Sequence, residues 1–133
     1  MNEAIIYRLN PPLDNEALNV LYDAAWPAHT MGFDFAREVG HALATVWAYD
    51  GARLVGYVRV AWYGGIHAFL LEPTVHPDYQ HRGIGTELVH RANDAARDAG
   101  CEWMHVDYEP RLAPFYEACG FEPTPAGLIR LRA

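Results

Sequence analysis

The stretch from residue 44 to residue 75 constrains the fold more than any other part of the sequence. It reads ATVWAYDGARLVGYVRVAWYGGIHAFLLEPTV and holds three runs rich in Val, Tyr, Trp and Ile, which favour β-strands. The runs are separated by Asp50-Gly51 and Gly64-Gly65, dipeptides that favour the tight turns of hairpins. The sequence therefore predicts a three-stranded antiparallel meander.

Hydrophobic periodicity predicts the elements on both sides of the meander. Apolar residues recur at helical spacing in 11–26 and, over a shorter stretch interrupted by a glycine, in 33–43. Residues 83–100 have the most regular apolar stripe, which predicts the best-defined helix of the chain. The remaining predicted elements are a first strand at 4–9, a strand at 102–108 that completes a β-helix-β unit with 66–75, a short helix at 112–121 and a last strand at 127–132.

The size and charge of the chain limit its fold and its partners. With 133 residues, of which 51% are hydrophobic, residues 1–133 are expected to form a single domain. Seventeen Asp and Glu against ten Lys and Arg give a formal net charge of −7. This argues against a nucleic-acid partner, because binding to phosphate backbones needs a basic surface. An acidic surface suits a cationic small substrate, and it also simply aids solubility.

Signals for targeting, membrane insertion and metal binding are missing from the sequence. The start, MNEAIIYRLN, lacks the pattern of a signal peptide, and no uncharged stretch approaches the roughly 20 residues of a membrane span. Cys101 and Cys119 show no spacing motif, which favours packing roles in a reduced, intracellular protein. His76, His81 and His90 lack the spacing of metal ligands on one helix face. We therefore expect a cytoplasmic protein with no membrane partner and no metal.

The segment HPDYQHRGIGTEL, residues 76–88, predicts an anion site at the start of the 83–100 helix. A helix N-terminus presents unpaired backbone N–H groups and the positive end of the helix dipole. Gly83 and Gly85 would let a ligand approach the backbone closely, and Arg82 adds a positive charge at the same rim. These are the parts of a pyrophosphate site.

Two known phosphate-binding motifs do not fit this segment. A Walker P-loop needs a lysine after the second glycine, and GIGTEL has none. A dinucleotide fingerprint needs a third glycine at the position that Leu88 occupies, and a tight turn where this chain has a loop containing Pro77. Taken alone, the glycines leave open a plain strand-loop-helix connection in which they serve packing.

Two motifs in the right order resemble those of the GNAT acetyltransferase family. VHPDYQHRGIG resembles motif A, V-x-P-x-x-(Q/R)-x-x-G-x-(G/A), and PFYEACGF, residues 114–121, resembles motif B. The order of predicted elements is also that of the family. The resemblance implies an α/β (α+β) GNAT acyl-CoA N-acyltransferase fold, in which helices flank a mixed, mostly antiparallel sheet whose central parallel strand pair is splayed.

The resemblance also implies the cosubstrate and the reaction. The pyrophosphate of acetyl-CoA would be bound by the main chain, and the backbone near Val75 would pair with the pantetheine arm and polarise the thioester. No covalent nucleophile is well placed, so the expected activity is N-acetyltransfer straight to a primary amine in a ternary complex. The alternative is a catalytically silent acyl-CoA-binding sensor or interaction module. The residues assigned to the pyrophosphate are Gln80, His81, Arg82, Gly83, Ile84, Gly85 and Thr86.

The resemblance implies catalytic roles for two residues. Tyr116 matches the motif B tyrosine that protonates the leaving thiolate, although it could also be a core tyrosine with a satisfied hydroxyl. Glu72 stands where several GNAT proteins have a general base, and Pro73 after it suggests a β-bulge that re-aims side chains. Glu72 could instead hold an arginine or face solvent, and Asp107 is then the reserve candidate for the base.

The acceptor side is less specific in sequence. Trp26, His29 and Phe33 fall where the family builds its acceptor pocket, and they could equally be core residues. Glu109 occupies the place of an asparagine that in many members touches the cofactor arm. The chain after Phe121 is short for the usual final hairpin, which leaves the pocket open or completed by a second subunit in a homodimer. The acceptor is expected to be a small-molecule or peptide amine.

Overall fold

A five-stranded mixed sheet organises the molecule, whose computed structural model describes residues 4–132. The strands lie side by side in the order of the chain, and neighbours from β1 to β4 pair in antiparallel fashion. The meander predicted at 44–75 is confirmed, with hairpins at the two predicted dipeptides. The strands are β1 (Ile6–Leu9), β2 (Ala42–Asp50), β3 (Arg53–Trp62), β4 (His67–Val75) and β5 (Trp103–His105).

Within residues 4–132, four α-helices flank the sheet, and they are shorter than the sequence predicts. The helix expected at 11–26 begins only at Asn15, because the side chain of Asp14 caps it by accepting a hydrogen bond from the backbone N–H of Ala17. The helix expected at 33–43 ends at Gly40, since the chain enters β2 two residues later. The helices are α1 (Asn15–Ala25), α2 (Ala36–Gly40), α3 (Ile84–Asp98) and α4 (Ala113–Ala118).

The predicted β-helix-β unit is confirmed as β4-α3-β5, and its two strands diverge. They pair in parallel only from His67 opposite Trp103 to Phe69 opposite His105. β5 ends at His105, short of the predicted 108, whereas β4 continues to Val75. Within the described residues, the end of β4 therefore has a free edge on the β5 side. This is the splayed parallel pair of the fold expectation, but it lies at the edge of the sheet and not at its centre, because β5 is the last strand in the order among the described residues.

Apolar side chains pack on both faces of the sheet. On one face, called here the α3 face, Leu88 and Val89 of α3 pack with Val58 and Val60 of β3. The other, called the α1 face, is built from α1 and aromatic residues of the sheet. Because side chains alternate along a strand, neighbouring residues feed the two cores. The buried members of the α1-face core are Leu18, Leu21, Tyr22, Phe35, Trp47, Leu54 and Tyr57.

The prediction of a last strand at 127–132 is wrong. No strand or helix is present from 121 to 132, and the side chains of Leu128, Ile129 and Leu131 are 82–89% exposed. A strand needs a partner for its backbone, and the three-residue β5 offers too short an edge for a ladder of that length. Among the helices of residues 4–132, none combines the length and the apolar character needed to cross a membrane.

Candidate functional site

The start of α3 presents a row of backbone donors. Gly83 is the N-cap residue, with a φ of 81° and no side-chain capping bond, and its carbonyl accepts the first helical hydrogen bond from Glu87 N–H. His81 also has a positive φ, of 63°. The N–H groups of the first helical turn have no carbonyl to bond within the helix and attract an anion. The segment 80–86 assigned to pyrophosphate binding is thus one continuous loop and helix start.

The two glycines of this segment serve different purposes. Gly83 occupies the left-handed region, where a side chain is strained, and a Cβ there would meet open space. A Cβ on Gly85 would lie 3.3 Å from the ring of Phe115 and 3.8 Å from Val75. Gly85 therefore lets α4 and the end of β4 pack tightly against α3. The packing role that the sequence left open holds for Gly85 and does not account for Gly83.

Side-chain contacts anchor the loop before α3. The guanidinium of Arg82 lies 4.8 Å from the centre of the Tyr79 ring, and the Tyr79 hydroxyl donates to Asp50 in the β2–β3 hairpin. Gln80 donates from its amide to the carbonyl of Val75 at 3.4 Å. These contacts hold the loop against the sheet and leave Arg82 at the exposed rim.

Tyr116 lies on α4 in an aromatic environment on the α3 face. Its side chain is 6% exposed and stacks on Tyr108 with ring centres 4.8 Å apart. Burial raises the pKa of Tyr116, and the nearby Cys119 and Asp107 raise it further. Among the described residues its hydroxyl has no hydrogen-bond partner. The hydroxyl therefore keeps its proton at neutral pH and can donate it to a group that binds beside it.

The predicted bulge in β4 is present at Glu72 and Pro73. Leu71 pairs with Arg59 and Thr74 pairs with Tyr57, so two residues of β4 stand opposite one of β3. Glu72 has a φ of 50°. Its half-exposed carboxylate accepts a hydrogen bond from Arg59 at 3.0 Å.

Arg59 is the centre of a charged cluster on the α1 face. It is 6% exposed and donates to the Tyr22 hydroxyl at 3.0 Å, to Glu38 at 3.1 Å and to Glu72. Burial lowers the pKa of Arg59, but the neighbouring Tyr22, Glu72 and Glu38 raise it more, so the guanidinium stays charged. Sequence reasoning missed this cluster. The signal was an arginine within the apolar run LVGYVRVAW of β3, because a buried charge requires partners.

The three residues predicted for the acceptor pocket lie in the connection between α1 and α2, where the backbone N–H of His29 donates to the carbonyl of Trp26 at 3.0 Å. Trp26 donates from its indole N–H to the Thr74 hydroxyl at 3.1 Å, which places it beside the bulge. The distance from Nε2 of His29 to Oδ1 of Asn19 is 2.9 Å, and Phe33 donates its backbone N–H to the same oxygen. Asn19 was not identified from the sequence, although it is a buried polar residue that orders this connection.

The two other acidic candidates are exposed. Asp107 follows β5 and is near enough to Tyr116 to influence its pKa. Glu109 accepts a hydrogen bond from Arg111 at 2.8 Å, and both side chains are about 70% exposed. The carboxylate of Glu109, which stands where the expected pattern has an asparagine, is thus hydrogen-bonded to a neighbouring surface arginine.

Comparisons with known protein sequences identify the family. A model described as an acetyltransferase (GNAT) domain matches residues 42–123. Over 79 residues the chain is 32% identical to an uncharacterized N-acetyltransferase, ycf52, from Porphyra purpurea, a match that covers 59% of this chain and 45% of that protein. The chain spans less than half the length of the curated relatives it matches.

Solved structures show the same fold at low sequence identity. A GNAT family acetyltransferase from Streptococcus pneumoniae is 23% identical with a TM-score of 0.75, over 97% of this chain and all of that one. The aminoglycoside N-acetyltransferase AAC(6')-Iy in complex with CoA is 20% identical with a TM-score of 0.80, over 99% and 97% of the two chains. The same enzyme has been solved with a bisubstrate analogue that joins CoA to a monomethyl-acetylneamine.

Proposed function

Because this chain belongs to the GNAT acetyltransferase family, we propose that it transfers an acetyl group from acetyl-CoA directly to a primary amine while both are bound. The observation that supports this most strongly is the opening between β4 and β5. There the free edge of β4 ends at Val75, which packs near Gly85 at the donor-rich start of α3. An extended pantetheine arm fits a free strand edge, and a pyrophosphate fits a helix N-terminus.

The proposed division of labour on the α3 face uses mainly backbone groups. The N–H groups of residues 80–86 bind the pyrophosphate, and the main chain near Val75 stabilises negative charge on the thioester oxygen. The amine nitrogen attacks the carbonyl carbon, and the carbon–sulfur bond then breaks. The thiolate that leaves is met by the hydroxyl of Tyr116.

Tyr116 is proposed to assist the thiolate mainly through a hydrogen bond. Full proton donation from a tyrosine of pKa about 10 to a thiolate whose conjugate acid has pKa about 8.5 is uphill by about 2 kcal/mol. The raised pKa of Tyr116 makes this donation harder still. A hydrogen bond that shortens as the thiolate forms stabilises the same charge at lower cost.

Glu72 is the proposed acceptor of the proton from the attacking amine, directly or through water. Its Oε1 is held by Arg59, and the half-exposed side chain leaves its other oxygen free to face a substrate. Arg59 is then a positioning residue that fixes the carboxylate on the bulge. With Glu38, the cluster has one positive and two negative groups, which favours a cationic amine. Trp26, His29 and Phe33 are the proposed walls of the acceptor pocket.

The test is release of free CoA thiol from acetyl-CoA with a panel of amines, small molecules and peptides included. We expect at least one amine to stimulate release, and Tyr116→Phe to lower kcat about tenfold or more while the variant still binds acetyl-CoA. Tyr63→Phe is the matched control, because Tyr63 directly follows β3 and is 66% exposed. Equal rates for Tyr116→Phe and Tyr63→Phe would remove Tyr116 from the mechanism.

A catalytically silent acyl-CoA-binding module is the second candidate. It is favoured by the pairing of two carboxylates with arginines: the candidate base Glu72 is bound by Arg59, and Glu109, which departs from the family pattern, is bound by Arg111. The two functions differ in one measurement. If calorimetry detects acetyl-CoA binding and no amine in the panel stimulates thiol release, the binding module is correct and the enzyme is not.

A further inference from the structure

Two histidine rings meet across the parallel strand pair. Nδ1 of His67 on β4 lies 2.7 Å from Nε2 of His105 on β5. Their neighbours in the strands, Ala68 and Met104, pack on the α3 face, so both histidines project on the α1 face. The pair lies at the base of the splay, where β4 and β5 are still held by backbone pairing.

Aromatic neighbours restrict both rings. The Tyr63 ring stacks on His67 with centres 6.5 Å apart and an interplanar angle of 23°. The Phe69 ring stacks on His105 at 4.8 Å and 25°. Two aromatic side chains, one directly after β3 and one on β4, thus pack against the rings of the histidine pair. Such restriction lowers the entropy lost when a common ligand binds.

We propose that His67 and His105 bind a divalent transition metal ion, with Zn²⁺ as the physiological candidate. Imidazole nitrogen is a preferred ligand of Zn²⁺, Ni²⁺ and Cu²⁺. As neutral rings the pair has a single proton between the facing nitrogens. A metal ion takes the place of that proton after the donor ring changes tautomer, so binding to the neutral pair releases no net proton.

The separation of the rings fits one ion. Two imidazoles on a tetrahedral Zn²⁺, with Zn–N distances of about 2.0 Å, have nitrogens about 3.3 Å apart and ring centres about 5 Å apart. The observed ring centres are 4.9 Å apart. The facing nitrogens are 2.7 Å apart, so binding requires the rings to turn about their side-chain bonds until these nitrogens are about 3.3 Å apart, with the ring centres near their present separation. The ion would link β4 to β5 where they begin to diverge.

The site is open. In residues 4–132 no group of three or more His, Cys, Asp or Glu side chains gathers as a metal centre, so the other coordination positions belong to water or an external ligand. The sequence expectation of no metal rested on His76, His81 and His90, and this pair involves neither those residues nor a recognisable spacing. Its members are 38 residues apart in the chain.

The test is titration of chelator-treated protein with Zn²⁺ by calorimetry, alongside the melting temperature with and without the ion. We expect one ion per chain and a higher melting temperature in its presence. His67→Ala and His105→Ala should each weaken binding at least tenfold and abolish the shift in melting temperature. His90→Ala, at an exposed position on α3, is the control and should bind as the unaltered protein does.

The variants His67→Gln and His105→Gln, which keep a polar side chain, replace the alanine forms if those fail to fold. The proposal is wrong if the unaltered protein takes up no Zn²⁺, or if the His67 and His105 variants bind it as tightly as His90→Ala. It is independent of acetyl transfer, because every readout is binding or stability.

Discussion

On the α3 face the candidate site is made mainly of main chain, whereas on the α1 face it is made of charged and aromatic side chains. The start of α3 offers N–H groups, and Gly83 sets their direction through a left-handed backbone. Across the sheet, the buried Arg59 joins Glu38 and Glu72 through its guanidinium. The first arrangement suits a ligand part that never varies, such as a pyrophosphate.

The difference explains why the backbone site on the α3 face could be predicted from the sequence, whereas the side-chain cluster around Arg59 on the α1 face could not. A backbone site leaves a signature in the few positions that must be glycine, and these are close together in the chain. A side-chain cluster is assembled from α1, α2, β3 and β4, so its members are scattered. Substitutions on the two faces should therefore differ in their effects on cofactor binding, on the chemistry of the acceptor and on stability.

The largest effect is expected from a charge on the backbone site. Gly83→Glu introduces strain of about 1–2 kcal/mol in the left-handed region and repels a bound pyrophosphate. We expect acetyl-CoA affinity, measured by calorimetry, to fall more than about 100-fold. Gly127→Glu makes the same change at an open position of the tail and should bind acetyl-CoA normally. A Gly83→Glu variant that binds normally would refute the backbone site.

The next effect is expected at Glu72. Glu72→Gln keeps the shape of the side chain and removes its capacity to take a proton, so kcat should fall about 100-fold with little change in the KM for acetyl-CoA. Glu38→Gln is the matched control, because it bonds the same arginine nitrogen. It should mainly raise the KM of a cationic amine. Equal losses of kcat in the two variants would show that neither carboxylate is a specific base.

A smaller effect, on stability, is expected from the arginine itself. Arg59→Met removes hydrogen bonds to two carboxylates and a hydroxyl, and we expect it to lower the free energy of unfolding by about 2 kcal/mol. Arg97→Met removes an exposed pair with Asp94 and should cost below about 0.5 kcal/mol. Urea denaturation distinguishes the two. If Arg59→Met lowers the free energy of unfolding no more than Arg97→Met does, the buried cluster contributes no more to stability than an exposed ion pair.

The smallest effect is expected from alkaline pH, which should leave kcat unchanged over the range in which Tyr116 is protonated. A proton or hydrogen-bond donor must carry its proton, and the pKa of Tyr116 is raised above the ordinary value of about 10. Tyr116 therefore stays mostly protonated to at least about one pH unit below that value, and its ionisation should cause no fall of kcat on the alkaline side up to about pH 9. The profile is measured for the unaltered protein and Tyr116→Phe. An alkaline fall near pH 9 present only in the unaltered protein would contradict the burial of Tyr116.

The sequence predicted the parts of the fold that depend on local patterns. The hairpins follow from Asp50-Gly51 and Gly64-Gly65, and α3 follows from its apolar stripe. The tail was mispredicted because Leu128, Ile129 and Leu131 resemble a strand, while a strand also needs an edge that β5 is too short to provide. The hydrophobic pattern of a segment does not show whether the folded sheet offers a strand with which it can pair.

The same limit explains the outcome for the site. The bulge could be predicted because Pro73 cannot join the ladder. The partner of Glu72 could not, since Arg59 is on another strand and is brought to Glu72 only by the pairing register. The roles of Tyr116 and of the acceptor residues stay predictions, because no pattern in the chain specifies the atom that each would touch.

The bulge at Glu72 and Pro73 also changes the phase of β4. Before it, the even-numbered Ala68 and Leu70 face α3, but after it the odd-numbered Val75 does, and Thr74 turns to Trp26 on the other side. The one additional residue thus reverses the alternation, so that odd-numbered residues of β4 face α3 after the bulge instead of even-numbered ones. Deleting Pro73 would remove the bulge and leave Thr74 and Val75 on their present faces, but it would place Glu72 opposite Val58, on the α3 face and away from Arg59.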